Sequence, residues 1–159
     1  MKKILILQGG YNEEHKVSLN TSKEVIKALK KLKINYQILT VNPLTFAKDI
    51  SRYSNKYICF NALHGSFGED GTVQKILKEE GFKVTHSSSL SSSKCFDKIE
   101  SKKIINKFKI LSPKYRVIVN QELNKNILKK TMIRFKKFVI KPSGSGSSYG
   151  LKIIKSQND

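Results

Sequence analysis

Tyr57-Ile58-Cys59-Phe60-Asn61-Ala62 runs through Leu63 into His64-Gly65-Ser66-Phe67-Gly68-Glu69-Asp70-Gly71. The first six residues carry few polar side chains and read as a strand buried on both faces. The eight that follow hold three glycines and two acids, the composition of a ligand-facing loop rather than a connector. The same junction occurs twice more. Gly9-Gly10 follows the apolar run Ile4 to Leu7, and Gly144, Gly146 and Gly150 follow Phe138 to Ile140, so eight of the nine glycines fall in three loops. Glycine permits positive φ and close approach of backbone to a bound group, and three strand-then-glycine junctions therefore predict one site assembled from three strand ends. Any single cluster would also be explained by an ordinary tight turn.

With 159 residues, 38% of them hydrophobic and 9% aromatic, the chain can bury a real core and has room for one domain plus part of another. No apolar run approaches the roughly 20 residues that cross a bilayer, and Ile4-Leu5-Ile6-Leu7 behind Lys2-Lys3 is shorter than a secretory core of about 7–15 residues. A cytoplasmic protein is expected. Cys59 lies inside an apolar strand and Cys95 stands alone, a pattern of inert thiols rather than of a disulfide framework or a zinc cluster.

The net charge of +19 raises the possibility of a nucleic-acid partner. The residue types argue against it: nearly all the cations are lysines, and only Arg52, Arg116 and Arg134 could fork onto guanine edges or phosphate. Lys27, Lys30, Lys31 and Lys33 sit along a helix without interleaved aromatic stacking platforms, as a solvated face does. A lysine-rich coding bias explains the charge more simply.

Periodicity supplies the order of elements. Lys3 to Gln8 reads as a strand, Gly9 to Lys16 as a polar loop, and the following helix carries Val25, Ile26, Leu29 and Leu32 at three-to-four spacing on its packed face. Strands at Tyr36 to Val41 and Tyr57 to Ala62 flank an irregular or briefly helical stretch after Asn42-Pro43. Thr72 to Glu80 reads as a helix with Gly81 suited to the left-handed residue past its end, and Lys83 to Thr85 as a short strand. Strands alternating with helices predict an α/β fold with a parallel sheet. Ser87 to Ser93 holds six serines around one leucine and reads as a loop or linker, which places a domain boundary between residues 88 and 89. Beyond it, Asp97 can cap a helix running to about Phe108, Tyr115 to Val119 reads as a strand, Asn124 to Phe135 as a basic helix, and Phe138 to Lys141 and Leu151 to Lys155 as strands.

Four places could carry chemistry. Lys141-Pro142-Ser143-Gly144-Ser145-Gly146-Ser147-Ser148-Tyr149-Gly150 sets a cation at a strand end before glycines and hydroxyls, the donors that cradle phosphate, although serine-glycine linkers share this composition. It is not a Walker A loop, because the lysine precedes the glycines. Glu13 and Glu14, in the loop after the first strand, could hold an ammonium group or act as a base, or form a solvated acidic turn. His64 at a strand end could orient a substrate or simply be exposed. Glu69 and Asp70 could cap the next helix as readily as take part in catalysis, and Lys98 taken alone would be a surface lysine.

Taken together these residues resemble the N-terminal part of a D-alanine–D-alanine ligase, a family of the ATP-grasp superfamily. Four matches occur in the family's order: Gly9-Gly10 with Glu14, Val17, Ser18 and Leu19; Leu63-His64-Gly65 with Gly68-Glu69-Asp70-Gly71-Thr72-Val73-Gln74; Asp97-Lys98; and Lys141-Pro142 with Gly146-Ser147-Ser148 and Gly150. The resemblance spans essentially the whole chain. It implies a parallel-sheet N-terminal α/β domain over residues 1–88 and an incomplete ATP-grasp central domain of α+β type over 89–159. It implies ATP-driven joining of two D-alanines for peptidoglycan precursor synthesis: ATP phosphorylates one carboxylate, and the second amine attacks that acyl phosphate. By this similarity Glu14 and Ser147 take catalytic roles, while Glu14, Val17 and His64 bind the first substrate. Lys98, Lys141, Ser147 and Ser148 would face the ATP phosphates, with Ser147 also positioning its loop near the acceptor.

Two departures bear on activity. The family often has a charged pair where Gly144-Ser145 stand here, which implies a more flexible loop. The family also continues beyond the counterpart of Asp159, and the adenine-binding hinge, the lid-loop tyrosine, an arginine and the acidic magnesium ligands are expected from that further part. Phosphoryl transfer needs several charges neutralised at once, each contact worth about 4 kcal/mol at an effective dielectric near 20, and two lysines do not suffice. This implies a chain inactive by itself, with a separately encoded C-terminal half or a homodimer as candidate partners. A noncatalytic nucleotide-binding fragment and a basic nucleic-acid-binding protein are the alternatives.

Overall fold

A computed structural model describes residues 3–156 of the chain. Strands β1 (Lys3–Gly9), β2 (Tyr36–Val41), β3 (Tyr57–Asn61) and β4 (Lys83–Val84) form one sheet in the order β2-β1-β3-β4, and every pairing is parallel. Parallel neighbours need a crossover, and the helices expected between the strands supply them. These are α1 (His15–Lys31), α2 (Phe46–Ile50) and α3 (Thr72–Glu79).

The central strand β1 explains why the sheet must be covered on both faces: Leu5, Ile6 and Leu7 are consecutive and all fully buried. Phe46 and Ile50 of α2 and Val73 and Leu77 of α3 pack with Leu5, Leu7 and Cys59 in the main core. The chain leaves β1 toward β2 on one side, then returns past β1 to lay β3 on the other. At such a switch point the connections after adjacent strands diverge and open a crevice beyond their C-terminal ends. Here those ends carry Gly9-Gly10 and Leu63-His64-Gly65.

The second half continues through α4 (Ser89–Phe96), α5 (Lys98–Lys107), a 3-10 turn (Asn120–Glu122) and α6 (Lys125–Phe135) to an antiparallel ribbon of β5 (Phe138–Ile140) and β6 (Lys152–Ile154). The cap expected at Asp97 is present, and Asn124 caps α6 in the same way. Asp97 accepts from the backbone of Ile99 and Glu100, and Asn124 from that of Ile127. Gly81 follows the C-cap of α3 with φ +75°.

Three readings are corrected. The serine run is not a linker: Ser88 caps α4 by accepting from the amide of Ser91, and Ser89 donates from Oγ to the carbonyl of Gly71 at 2.7 Å, fastening α4 to the start of α3. Hydroxyls that compete with the backbone inside a helix stabilise it at its first turn, and that local effect prevails here. Tyr115 to Val119 is not a strand, because no neighbouring segment among the described residues pairs with it. On α1 the fully buried positions are Ser18 and Ser22, whereas Leu32 beyond its end is exposed.

Gly71 is the N-cap of α3 and sits at φ +94°, a left-handed conformation that a β-carbon disfavours, and that carbon would also run into the carbonyl of Ser89. Gly71→Ala is expected to lower unfolding stability by about 1–3 kcal/mol in equilibrium urea denaturation. Lys78→Ala on the exposed side of the same helix should stay within about 0.5 kcal/mol of the parent. Equal stability of the two variants would contradict this packing.

Candidate functional site

The three glycine loops meet at Glu14. Its side chain is only 4% exposed, and one carboxylate oxygen, Oε2, accepts a short hydrogen bond from Ser147 Oγ, far away in sequence. The backbone N–H of Glu14 donates to Asn12 Oδ1 at 2.9 Å, which sets the residue at the mouth of α1. The other oxygen, Oε1, faces two glycines: a β-carbon on Gly65 would lie 3.0 Å from it and one on Gly146 2.7 Å. Loops 64–70 and 142–150 can therefore close on the carboxylate only because these residues lack side chains.

Polar side chains tie the first two loops together. Asn12 Nδ2 donates to the carbonyls of His64 and Ser66, at 2.8 and 3.0 Å. Asn61 and Gln74 both donate to the carbonyl of Gly68, at 2.8 and 2.9 Å, which fixes the far side of the loop. Glu69 accepts from the backbone N–H of Gly65, and Asp70 from those of Phe67 and Thr72. Asp70 thus performs the turn-and-helix-start role open to it in the sequence, while Gly71 takes the N-cap position itself.

A cleft of about 620 Å³ runs beside this junction, lined by Thr21, His64, Glu69, His86, Cys95, Lys98 and Gly146 among others. His64 stands in it with Nε2 2.9 Å from Thr21 Oγ1 and Nδ1 3.6 Å from Glu69 Oε1, a hydroxyl on one side of the ring and a carboxylate on the other. His86, unremarked in the sequence, lines the same cleft edge-on to Phe60, with ring centroids 5.7 Å apart. Burial lowers its pKa, against a smaller opposing pull from Glu69, so His86 favours the neutral ring.

The cationic side is built from α5 and β5. Lys98 is the first residue of α5, and its Nζ donates to the carbonyls of Ser143 and Ser145, at 3.3 and 2.5 Å. A second cavity of about 300 Å³ lies between Lys98 and Lys141, with Ser145, Gly146, Ser147, Ser148, Tyr149 and Leu151 completing its wall. Desolvation, then the charge of Lys141, lower the pKa of Lys98, and Asp97 partly offsets both. Two ammonium groups facing one small cavity make a site that an anion would stabilise. Ser147 and Ser148 are consecutive residues at φ +44° and +62°, a left-handed pair without glycine that marks backbone strain at the lip of this cavity.

The sequence-derived candidates divide accordingly. Glu14 and Ser147 are hydrogen-bonded, Lys98, Lys141, Ser147 and Ser148 surround one cavity, and His64 lines the neighbouring cleft. Glu14 itself lines neither cavity, since Gly65 and Gly146 cover it. Val17 is 42% exposed on α1 and lines neither. Thr21, Asn61, Gln74 and His86 went unnoticed as site residues. One signal was available: Glu14, Ser18, Thr21 and Ser22 recur at helical spacing and mark a polar stripe along α1 that an apolar count overlooks. Among the described residues no group of three or more His, Cys, Asp or Glu side chains is arranged to hold a metal ion, and no helix is long and apolar enough to cross a membrane.

No protein-family model matches the chain. Among curated proteins it is similar to the D-alanine–D-alanine ligase of Pelagibacter ubique strain HTCC1062, at 42% identity over 99% of this chain and 56% of that protein. Among solved structures, the D-alanine–D-alanine ligase from Bacillus anthracis superposes with a TM-score of 0.83 at 33% identity, covering 99% of this chain and 51% of that one. The same ligase complexed with ATP gives a TM-score of 0.80 at 32% identity, over 99% of this chain and 52% of that one. The chain spans about half the length of the curated relatives it matches.

The two cysteines offer a direct check on this packing. Burial in β3 pushes the Cys59 thiol up to about 12, so it carries almost no thiolate near neutrality, whereas Cys95 is exposed. A disulfide reagent at about pH 8 is expected to titrate Cys95 promptly in the native chain and Cys59 only after unfolding in guanidinium. Prompt reaction of both native thiols would contradict the buried position of β3.

Proposed function

The chain belongs to the D-alanine–D-alanine ligase family, and from that premise we propose that its three glycine loops form the amine-holding and phosphate-cradling part of a site that joins two D-alanines with ATP. The observation that carries this is the position of Ser147, whose hydroxyl bonds the Glu14 carboxylate while the residue lines the Lys98–Lys141 cavity. One residue thereby couples a carboxylate suited to an ammonium group to a cationic cavity suited to phosphate.

In this reading Glu14 holds the ammonium group of the first D-alanine through Oε1, the oxygen that Ser147 leaves free. Admission of that amine requires the Gly65 and Gly146 loops to part, since they cover Oε1 in this conformation. His64, held between Thr21 and Glu69, lies beside the substrate, and Val17 acts at the outer wall. The substrate carboxylate attacks the terminal phosphorus of ATP, the bond to ADP breaks, and an acyl phosphate forms. The amine of the second D-alanine then attacks the acyl carbon, and phosphate departs from the tetrahedral intermediate as the peptide bond is made. Lys98, Lys141 and the hydroxyls of Ser147 and Ser148 draw charge from the phosphate oxygens throughout.

Magnesium would help neutralise the phosphate charge in such a reaction. The described residues supply no carboxylate cluster for it, and no step here passes through the metal. The same proposal divides the chain at residues 88 and 89, with the amine pocket on the first part and the cradle on the second. A polyanion-binding reading gains nothing from the relatives named above, which are ligases by name.

The test is calorimetric titration of the chain with ATP. Loss of one charge-assisted contact, worth about 1.5–3 kcal/mol, is expected to weaken affinity about 10- to 100-fold in Lys98→Ala and in Lys141→Ala. Glu14→Gln should leave ATP affinity within about twofold, because its carboxylate faces the amine pocket, while removing any D-alanine-dependent phosphate release. Unchanged ATP binding in both lysine variants would sink the cradle assignment.

A further inference from the structure

Helix α1 and its N-cap, Glu14, fasten each of the three glycine loops through a different polar side chain. Ser18 Oγ accepts from the backbone N–H of Gly9 at 2.8 Å, the Glu14 carboxylate receives the hydroxyl of Ser147, and Thr21 Oγ1 lies 2.9 Å from Nε2 of His64. The third contact differs in kind, because an imidazole has two positions for its proton and the contact bears on which one is used.

Thr21 forgoes the ordinary partner of a helical threonine. Such a hydroxyl commonly bonds the carbonyl four residues earlier, as Thr131 does to Ile127 at 2.7 Å in α6. Thr21 instead reaches from α1 to the loop after β3 and meets the ring. The backbone of His64 is held independently, through its carbonyl, by Asn12 Nδ2 at 2.8 Å. Loss of the Thr21 hydroxyl would therefore free the ring without freeing the loop.

Two neighbours decide where the ring carries its proton. Glu69 Oε1 stands 3.6 Å from Nδ1. A carboxylate attracts an N–H and repels a nitrogen lone pair, so in the neutral ring the proton belongs on Nδ1. Nε2 then carries the lone pair, which the Thr21 hydroxyl satisfies as donor. In the opposite tautomer Nε2–H would donate to Thr21 and leave the Nδ1 lone pair facing the carboxylate. At 3.6 Å, Nδ1 is too far from Glu69 Oε1 for a direct hydrogen bond, and Oε2 is taken by the backbone N–H of Gly65 at 3.0 Å. The Nδ1–H is thus uncommitted, on a ring that lines the larger cleft beside Thr21 and Glu69.

We propose that Thr21 is a positioning residue whose hydroxyl donates to Nε2 and holds neutral His64 as the Nδ1–H tautomer, so that the ring meets a bound molecule as a hydrogen-bond donor. Of the two polar ends of an amino acid, a donor is complementary to the carboxylate and not to the ammonium group, which is itself a donor. On the ligase reading, on which this last step rests, His64 meets the carboxylate of the first D-alanine while Glu14 holds its amine.

The test is nitrogen-15 NMR of the imidazoles in the whole chain, at a pH alkaline enough for the rings to be neutral, with His64→Gln identifying the His64 signals among the three histidines. The Nδ1–H form is expected to exceed the Nε2–H form by about tenfold or more in the parent and in Thr21→Ser, and by about threefold or less in Thr21→Val. The parent's ratio needs no variant, and the serine, which keeps the hydroxyl, separates loss of the donor from loss of packing. A predominant Nε2–H form in the parent, or a ratio unchanged in Thr21→Val, would overturn the inference. Added D-alanine is expected to move the His64 Nδ1 signal in the parent and in Thr21→Ser. A parent in the Nδ1–H form whose signal D-alanine leaves unmoved would uphold the role of Thr21 and count against the ligase reading of this cleft, so the two failures are told apart.

Discussion

A carboxylate withdrawn from water must be met by donors or it protonates or drives the surrounding backbone apart. Glu14 is that carboxylate, and the meeting of the three loops depends on it. Ser147 supplies the hydroxyl, and Gly65 and Gly146 supply the absence of side chains that lets two loops lie against Oε1. Asn12 anchors the first loop to the second through the carbonyls of His64 and Ser66.

The sheet explains why the closure happens where it does. Leu5, Ile6 and Leu7 demand cover on both faces, which commits β1 to the centre and sends its connections to opposite sides. The crevice between the ends of β1 and β3 follows from that topology, and its two lips are the first two glycine loops. The third arrives from the β5–β6 ribbon, held by Lys98 through the carbonyls of Ser143 and Ser145. Lys98 therefore has a structural and an electrostatic part at once. Its amine braces the serine loop, while burial first and the nearby charge of Lys141 second lower its pKa.

Much of this was legible before any coordinates. Strands β1 to β4 fall within a residue or so of their hydrophobic runs, because short apolar segments between turn formers have few other ways to be buried. Asp97 was readable as a cap, since one side-chain oxygen serving the next amides is a local matter. The serine run was misread because composition alone does not distinguish a linker from a helix whose first turn is capped and fastened by Ser89 to Gly71. Tyr115 to Val119 was misread for the opposite reason: propensity is local, but a strand exists only where a neighbour pairs with it.

By itself the sequence determined the parallel α/β sheet, the family resemblance and the residue types in the site, because burial period, caps and glycine positions act over a few neighbours. Tertiary structure alone decided that Ser147 would reach Glu14 across the chain, that His64 would sit between Thr21 and Glu69, and that His86 would share their cleft. The Glu14–Ser147 and Thr21–His64 contacts join residues tens of positions apart. Their distances depend on how strands are ordered and loops closed, and no local pattern of side chains encodes that order.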